Sequence, residues 1–171
     1  MSDQVKRLVD AYRSRGVLVD TNVLLLLFVG SFDRRLIASF KRTKTFTGDD
    51  YDLLIRFLAC FRRIVTTPNI LSEVNSLSGQ IGEPRRTEYF LDFARRIPFL
   101  DEYYLTSSGI AALGFFPRLG LTDSGILQLA KENYLVLTDD LKLRHYLASA
   151  NIDSINFEHL RFMGWDLWNP K

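Results

Sequence analysis

The sequence predicts an α/β protein, a three-layer α/β/α sandwich with a mostly parallel central sheet. Short apolar runs rich in β-branched residues, typical of buried strands, alternate with longer stretches whose apolar residues recur at helical spacing. Such alternation is typical of β-α-β units, in which helices cover both faces of a parallel sheet. The 171 residues, 47% of them hydrophobic, suffice for one well-buried core.

The predicted elements follow one another along the chain. Strands are predicted at 17–19, 64–66, 134–137 and 152–157, where apolar residues form brief runs. Helices are predicted at 3–13, through 24–27, at 49–62, from 68 onward, and at 83–97, 122–131 and 141–150. Thr21 or Asn22 is expected to cap the second helix and Thr122 the sixth, while Thr67 precedes a proline at the first position of the fourth.

The composition predicts a cytoplasmic protein without a membrane anchor. The single cysteine, Cys60, cannot form an internal disulfide and has apolar neighbours, as is typical of a reduced thiol. The apolar run after Asn22 ends at Gly30, far short of the roughly 20 residues that span a bilayer.

Basic residues occur in adjacent pairs in the middle of the chain. The pairs are Arg34-Arg35, Lys41-Arg42, Arg62-Arg63, Arg85-Arg86 and Arg95-Arg96. Any single pair is as well explained by the solvated face of a helix, and the net charge is only +2. Together the pairs could form a cationic surface for nucleic acid.

Carboxylates stand at the junctions between predicted elements. Asp20 ends the first strand, Glu73 lies in the helix after the second, Asp123 opens a later helix, and Asp140 follows the third strand with Asp139 beside it. Because the carboxyl ends of parallel strands meet at one edge of a sheet, these side chains are expected to converge. Helix capping alone explains the three aspartates at helix starts, but it does not explain Glu73.

Converging carboxylates without cysteine or histidine suit a hard divalent cation. Mg²⁺ and Mn²⁺ prefer oxygen ligands, and a cation offsets the repulsion between crowded acids. Both histidines, His145 and His159, stand away from these junctions. No Ser-His-Asp order, C-x-x-C pair or glycine-rich phosphate loop is present, so covalent catalysis by a side chain is not expected.

At these residues the chain resembles the PIN-domain nucleases. The motifs that carry the resemblance are VLVDTNVLL at 17–25, a glutamate after the second strand, LTDSGILQLA at 121–130 and VLTDDLKL at 136–143, in that order. The first and last motifs are the more specific, and the glutamate is a weak match by itself.

The resemblance implies a role for each matching residue. The implied catalytic acids are Asp20, Glu73, Asp123 and Asp140. The implied metal ligands are Asp20, Asp123 and Asp140, and Asp139 either coordinates in place of Asp140 or supports it. Asn22 and Thr138 match polar positions that orient ligands or water.

The resemblance also implies an activity, a cofactor and partners. An endoribonuclease is implied that hydrolyses RNA phosphodiester bonds with Mg²⁺ or Mn²⁺, which activates water and steadies charge on the phosphate. Some PIN nucleases are toxins of toxin–antitoxin pairs, so an antitoxin or another protein partner and a homodimer are expected besides RNA. The aromatic residues Tyr103, Tyr104, Phe115 or Phe116 could stack on bases, but no substrate-binding residue is assigned.

The expected organisation is a single PIN-like domain over residues 1–171. A leader helix at about 3–14 precedes the first strand, and inserted helical segments are expected at about 32–63 and 78–121. Small toxin nucleases usually lack such additions, which could form a partner surface or a dimer contact.

Two other readings are open. The first is a catalytically silent PIN-fold module that binds RNA or protein, for which a missing acid would be expected, and none is missing. The second is a phosphotransfer domain of the dehalogenase or receiver type. The former type needs an aspartate where this chain has Asn22, and the latter needs an acid pair early in the chain, whereas Asp139 and Asp140 come late.

Overall fold

A five-stranded sheet, parallel throughout, forms the centre of the protein. The computed structural model describes residues 3–163, in which the strands lie in the order β3-β2-β1-β4-β5. The strands are β1 Val17–Val19, β2 Ile64–Thr66, β3 Asp101–Glu102, β4 Leu135–Thr138 and β5 Ser154–Asn156. The structure confirms the predicted three-layer α/β/α class, and every strand pair is parallel.

Helices account for most of the remaining described chain. They are α1 Asp3–Tyr12, α2 Thr21–Phe32, α3 Leu36–Ser39, α4 Gly48–Leu58, α5 Pro68–Ser78, α6 Arg85–Arg96, α7 Ser107–Ala111, α8 Phe116–Ala130, α9 Leu141–Ser149 and α10 Phe157–Phe162. A short 3₁₀ turn, Ile97–Phe99, follows α6. Within residues 3–163, no helix is both long and apolar enough to cross a bilayer.

Helix α2 lies at the centre of the helical packing. It contacts α3, α4, α5 and α6 as well as β4, and its apolar residues from Val23 to Val29 are all buried. A helix that is apolar on all sides requires such surroundings. The apolar run after Asp20 is therefore a core helix, and it holds the end of β1 in place.

The strand register aligns the strand ends at one edge. Val19 pairs with Leu137, and the backbone N–H of Asp20 continues the ladder by donating to the Leu137 carbonyl at 3.0 Å. The first connections carry the chain from β1 outward to β3, and the next returns it to β4 on the opposite side of β1. The boundary between β1 and β4 is thus the topological switch point of the sheet, where open α/β folds bind ligands.

Two of the three predicted helix caps differ from the structure. Asp20, rather than Thr21 or Asn22, caps α2, because its carboxylate accepts the Asn22 backbone N–H. Thr122 does not cap a helix: α8 begins earlier, at Phe116, and bends at Gly120. The cap at Thr67, with proline following it, is confirmed.

The structure also contains elements that the sequence pattern did not predict. The segment 78–121 is not helical throughout, because it supplies the edge strand β3, which is only two residues long. Helices α3, α7 and α10 span 4, 5 and 6 residues. Elements this short have no readable apolar period. The predicted domain of 1–171 extends beyond the described residues at both ends.

Candidate metal centre

Asp20 is a buried carboxylate at the switch point. It is 6% exposed, accepts the Asn22 backbone N–H at 3.3 Å, and accepts the Thr138 hydroxyl through its other oxygen. Burial, reinforced by the negative charges of Asp139 and Asp123, raises the pKa of Asp20 to about 7. An ordinary helix cap gains from the helix dipole without being placed among other acids. Capping therefore does not account for the whole environment of Asp20.

The two aspartates after β4 have different partners. Asp140 caps α9, and its Oδ1 accepts the backbone N–H groups of Lys142 at 2.6 Å and Leu143 at 3.0 Å. Asp139 Oδ1 instead accepts from the Asn22 side-chain amide at 3.3 Å, which ties it to the end of β1. Burial raises the pKa of Asp139 as well. Asp139 is thus hydrogen-bonded to a residue close to Asp20, whereas one oxygen of Asp140 caps α9.

Asp123 reaches the site from α8, just beyond the bend. Gly120 has φ 73°, a left-handed conformation that glycine adopts at little cost, so the helix changes direction before Asp123. Burial raises the pKa of Asp123 to about 6, with the carboxylates of Asp140 and Glu73 adding to the rise and Lys142 opposing it. Asp123 therefore lies within electrostatic range of Asp140 and Glu73.

Glu73 joins two helices through a pair of threonines. Its Oε2 accepts the Thr21 hydroxyl at 2.9 Å and its Oε1 accepts the Thr122 hydroxyl at 2.5 Å. Both threonines are buried, so the carboxylate on α5 fixes α2 and α8 relative to each other. This threonine bracket, Thr21–Glu73–Thr122, was missed in the sequence, where the two threonines were expected as caps. The sequence signal that could have revealed the bracket is that each threonine is adjacent to a candidate acid, Thr21 to Asp20 and Thr122 to Asp123.

Thr138 supports the centre from the end of β4. It is fully buried, its hydroxyl donates to Asp20, and the same oxygen accepts the backbone N–H of Asp140 at 2.9 Å. One threonine thus sets the position of acids on both strands. Both predicted supporting residues therefore contact the acids directly: Thr138 binds Asp20, and the Asn22 amide binds Asp139.

Lys142 is a cation at the centre that the sequence analysis did not single out. Its ammonium donates to the Arg118 backbone carbonyl at 2.7 Å, bridging α9 to the first part of α8, and its charge lowers the pKa of Asp123. The side chain is exposed. A lysine two residues after a capping aspartate is a common surface feature, so the sequence alone gave little reason to select it.

The donor set suits Mg²⁺ or Mn²⁺, although the acids do not form a coordination cluster as they stand. Within residues 3–163, no group of three or more Asp, Glu, His or Cys side chains is arranged to hold a metal ion. The carboxylates instead accept hydrogen bonds from backbone N–H groups, threonine hydroxyls and the Asn22 amide. The donors are all oxygens, however, and burial, with a smaller contribution from neighbouring carboxylates, raises the pKa values of Asp20 and Asp123, an effect that a bound cation would oppose.

No family model matches the chain, and no curated protein matches its sequence. The fold and the group of carboxylates at its switch point are the basis for any functional conclusion.

We predict that the metal-free protein loses stability as the pH rises from about 4 to about 7. Between these values folded Asp20 binds a proton that the unfolded chain has released, so the free energy of unfolding falls with pH. Asp20→Asn should remove this component and be more stable than the wild type at pH 8, by on the order of a few kcal/mol. Urea unfolding in EDTA at pH 5 and pH 8 measures the difference.

The matched control for this prediction is Asp10→Asn, which changes an exposed carboxylate on α1 paired with Arg13. It should follow the wild type at both pH values, since exposed pairs contribute little. Parallel pH profiles for the wild type and Asp20→Asn would contradict the assignment of a buried, proton-binding Asp20.

Proposed function

We propose that this chain is a divalent-metal-dependent endoribonuclease of the PIN type. The observation that carries the proposal is the convergence of carboxylates from β1, β4, α5 and α8 at the switch point of a parallel sheet. The negative charges of Asp139 and Asp123 add to the rise in the pKa of Asp20, and those of Asp140 and Glu73 add to the rise in the pKa of Asp123. Carboxylates with raised pKa values that lie near one another are typical of a functional site, and a bound cation would balance their charge.

Asp20, Asp123 and one or both of Asp139 and Asp140 would hold the cation. A bound divalent cation lowers the pKa of its water and offsets the charge that develops on a phosphate during hydrolysis. Thr138 holds Asp20 and the Asp140 backbone in register, and the Asn22 amide does the same for Asp139.

Glu73 has a different part in the proposal. Both of its carboxylate oxygens accept threonine hydroxyls, so it holds the chain directly after Asp20 against the chain directly before Asp123. Its negative charge still acts on Asp123. We therefore assign it first to positioning the acids, and its predicted catalytic role remains a prediction.

Lys142 is the cation best placed to meet a substrate phosphate. Ion pairs weaken the predicted cationic surface. In four of the five adjacent basic pairs, at least one arginine forms a salt bridge with a carboxylate. These arginines are Arg34, Arg35, Arg63, Arg85, Arg86 and Arg96. Lys142 instead donates to a backbone carbonyl, and it forms no ion pair with a carboxylate among residues 3–163.

One observation favours the alternative of a catalytically silent module. The side chains of Asp20, Glu73 and Asp140 are already hydrogen-bonded within the protein, so a cation must displace or share these bonds. An antitoxin partner and a homodimer remain predictions from the resemblance, and a cytoplasmic location remains a prediction from the composition.

We predict metal-dependent cleavage of RNA that requires Asp20. With Mg²⁺ or Mn²⁺ the wild type should cleave members of a mixed RNA pool, and Asp20→Asn, which keeps the size and capping ability, should lose activity by about 100-fold or more. The control Asp10→Asn should cleave as the wild type does. An inactive wild type with every RNA and either metal would support the silent module instead, and cleavage by Asp20→Asn would contradict the site.

We predict that Lys142 contributes to binding of the RNA backbone. Lys142→Ala should lower kcat/KM by about tenfold and make the dependence of binding on salt less steep by about one charge. Lys6→Ala, which removes an exposed lysine on α1, is the matched control and should leave both quantities unchanged. A loss that does not vary with salt would assign Lys142 to holding the Arg118 segment of α8 rather than to phosphate.

A further inference from the structure

A groove follows β5, the outer strand on the side of the sheet away from β3. Among the described strands, β5 pairs with β4 alone. The groove has a volume of about 360 Å³ and is lined by all three strand residues, Ser154, Ile155 and Asn156. Because the side chains of successive strand residues point to opposite faces of a sheet, a groove that contacts three in a row follows the open side of the strand. The backbone groups on this side are those that another extended chain can bind.

The walls of the groove are largely apolar and come mainly from two helices. Helix α1 contributes Leu8, and α10 contributes Leu160, Phe162 and Met163. Leu160 is buried, whereas Phe162 is 82% exposed and leaves its ring open to solvent beside the groove. Nucleic-acid interfaces are far more polar than these walls. An open strand edge beside pockets for side chains is instead typical of sites that bind extended peptides.

The charged groups that line the groove are basic. Arg144 on α9 is half-buried there and forms no ion pair among residues 3–163, and His159 on α10 is exposed. No acidic residue lines the groove within the described part of the chain. The acids on either side of β5 are bonded elsewhere, because Asp153 accepts a hydrogen bond from the last residue of α1 at 2.9 Å and Glu158 pairs with Arg161 at 2.7 Å. A ligand with negative charge therefore complements the groove.

The opposite outer strand is unsuited to the same ligand. Strand β3 is only two residues long, and both of them, Asp101 and Glu102, are acidic. Like charges on paired strands are unfavourable, so an acidic segment would be repelled from that side of the sheet. Charge therefore directs such a segment to β5.

We propose that the groove along β5 is the docking site for an extended segment of a partner protein in which apolar and acidic residues alternate. The segment adds a sixth strand beside β5, its apolar side chains pack against the walls, and its carboxylates pair with Arg144. Docking here does not require the proposed ribonuclease activity.

The register places the docked segment close to the candidate metal centre. Thr138, which donates to Asp20, pairs with Asn156 at the end of the groove. The segment therefore lies two strand spacings, or about 10 Å, from β4 and the acids that follow it.

The test measures the fluorescence anisotropy of labelled peptides about six residues long, added to the full chain. One peptide alternates valine and glutamate, a second alternates valine and lysine, and a third is the valine–glutamate peptide with methylated backbone nitrogens. The valine–glutamate peptide should bind about tenfold more tightly than the valine–lysine peptide because of its charge. The methylated peptide should not bind, since it cannot donate backbone hydrogen bonds to the strand.

Two matched pairs of variants locate the binding. Arg144→Glu should weaken binding of the valine–glutamate peptide by about tenfold, whereas Arg95→Glu, which reverses a charge on α6 outside the groove, should leave it unchanged. Phe162→Ala should weaken binding several-fold, while Phe99→Ala, which removes a ring that is also 82% exposed, should not.

The docking site is wrong if the valine–glutamate peptide does not bind, if the valine–lysine peptide binds equally well, or if Arg144→Glu binds as the wild type does. Displacement of the peptide by an RNA oligonucleotide would assign the groove to nucleic acid and overturn the proposal. A change in the emission of Trp165 and Trp168 caused by Arg144→Glu without peptide would assign the groove to the chain's own residues 164–171, which also overturns it.

Discussion

The burial of the Asp20 carboxylate is the constraint on which the candidate centre depends. A desolvated charge at the end of the central strand is unfavourable unless it is protonated, hydrogen-bonded or paired with a cation. The protein supplies the first two in part, through a raised pKa and the Thr138 hydroxyl. The neighbouring acids work against the charged form. Among residues 3–163, no basic side chain forms an ion pair with the Asp20 carboxylate, so a bound cation would supply the third of these partners.

Much of the surrounding structure holds this carboxylate in place. Helix α2 begins directly after its cap, Asp20, and is surrounded by helices α3 to α6, so the strand end cannot shift without disturbing the core. The threonine bracket of Glu73 fixes the start of α2 against α8, which carries Asp123. The bend at Gly120 and the bridge from Lys142 to Arg118 set where α8 enters the site. Rigid elements on three sides therefore determine the separations between the acids.

The elements that the sequence predicts are those formed by residues close together in the chain, and the elements it does not predict depend on residues far apart in the chain. Strand β1 and helix α5 were predicted because a buried apolar run and a Thr-Pro start are local signals. The convergence of the acids was predictable from the parallel sheet, since strand ends share an edge. The two-residue strand β3 exists only because Val65 and Thr66 offer it a partner, and no local pattern encodes that pairing.

The side-chain contacts at the candidate metal centre could not be predicted from the sequence either. The Thr21–Glu73–Thr122 bracket joins residues about 50 positions apart, and the Asn22 contact to Asp139 spans 117 positions. Such contacts depend on helix orientation, which periodicity does not specify. The choice between Asp139 and Asp140 depends in the same way on which carboxylate the cap of α9 engages.

Calorimetric titration with Mn²⁺ in two buffers of different ionisation enthalpy, near pH 6, tests the central claim most directly. If Asp20 and Asp123 are ligands with raised pKa values, Mn²⁺ must displace protons on binding, so the observed heat should differ between the buffers. Asp20→Asn should abolish binding, while Asp10→Asn should bind as the wild type does. Equal binding by wild type and Asp20→Asn, or no binding by the wild type, would contradict a metal centre at this edge of the sheet.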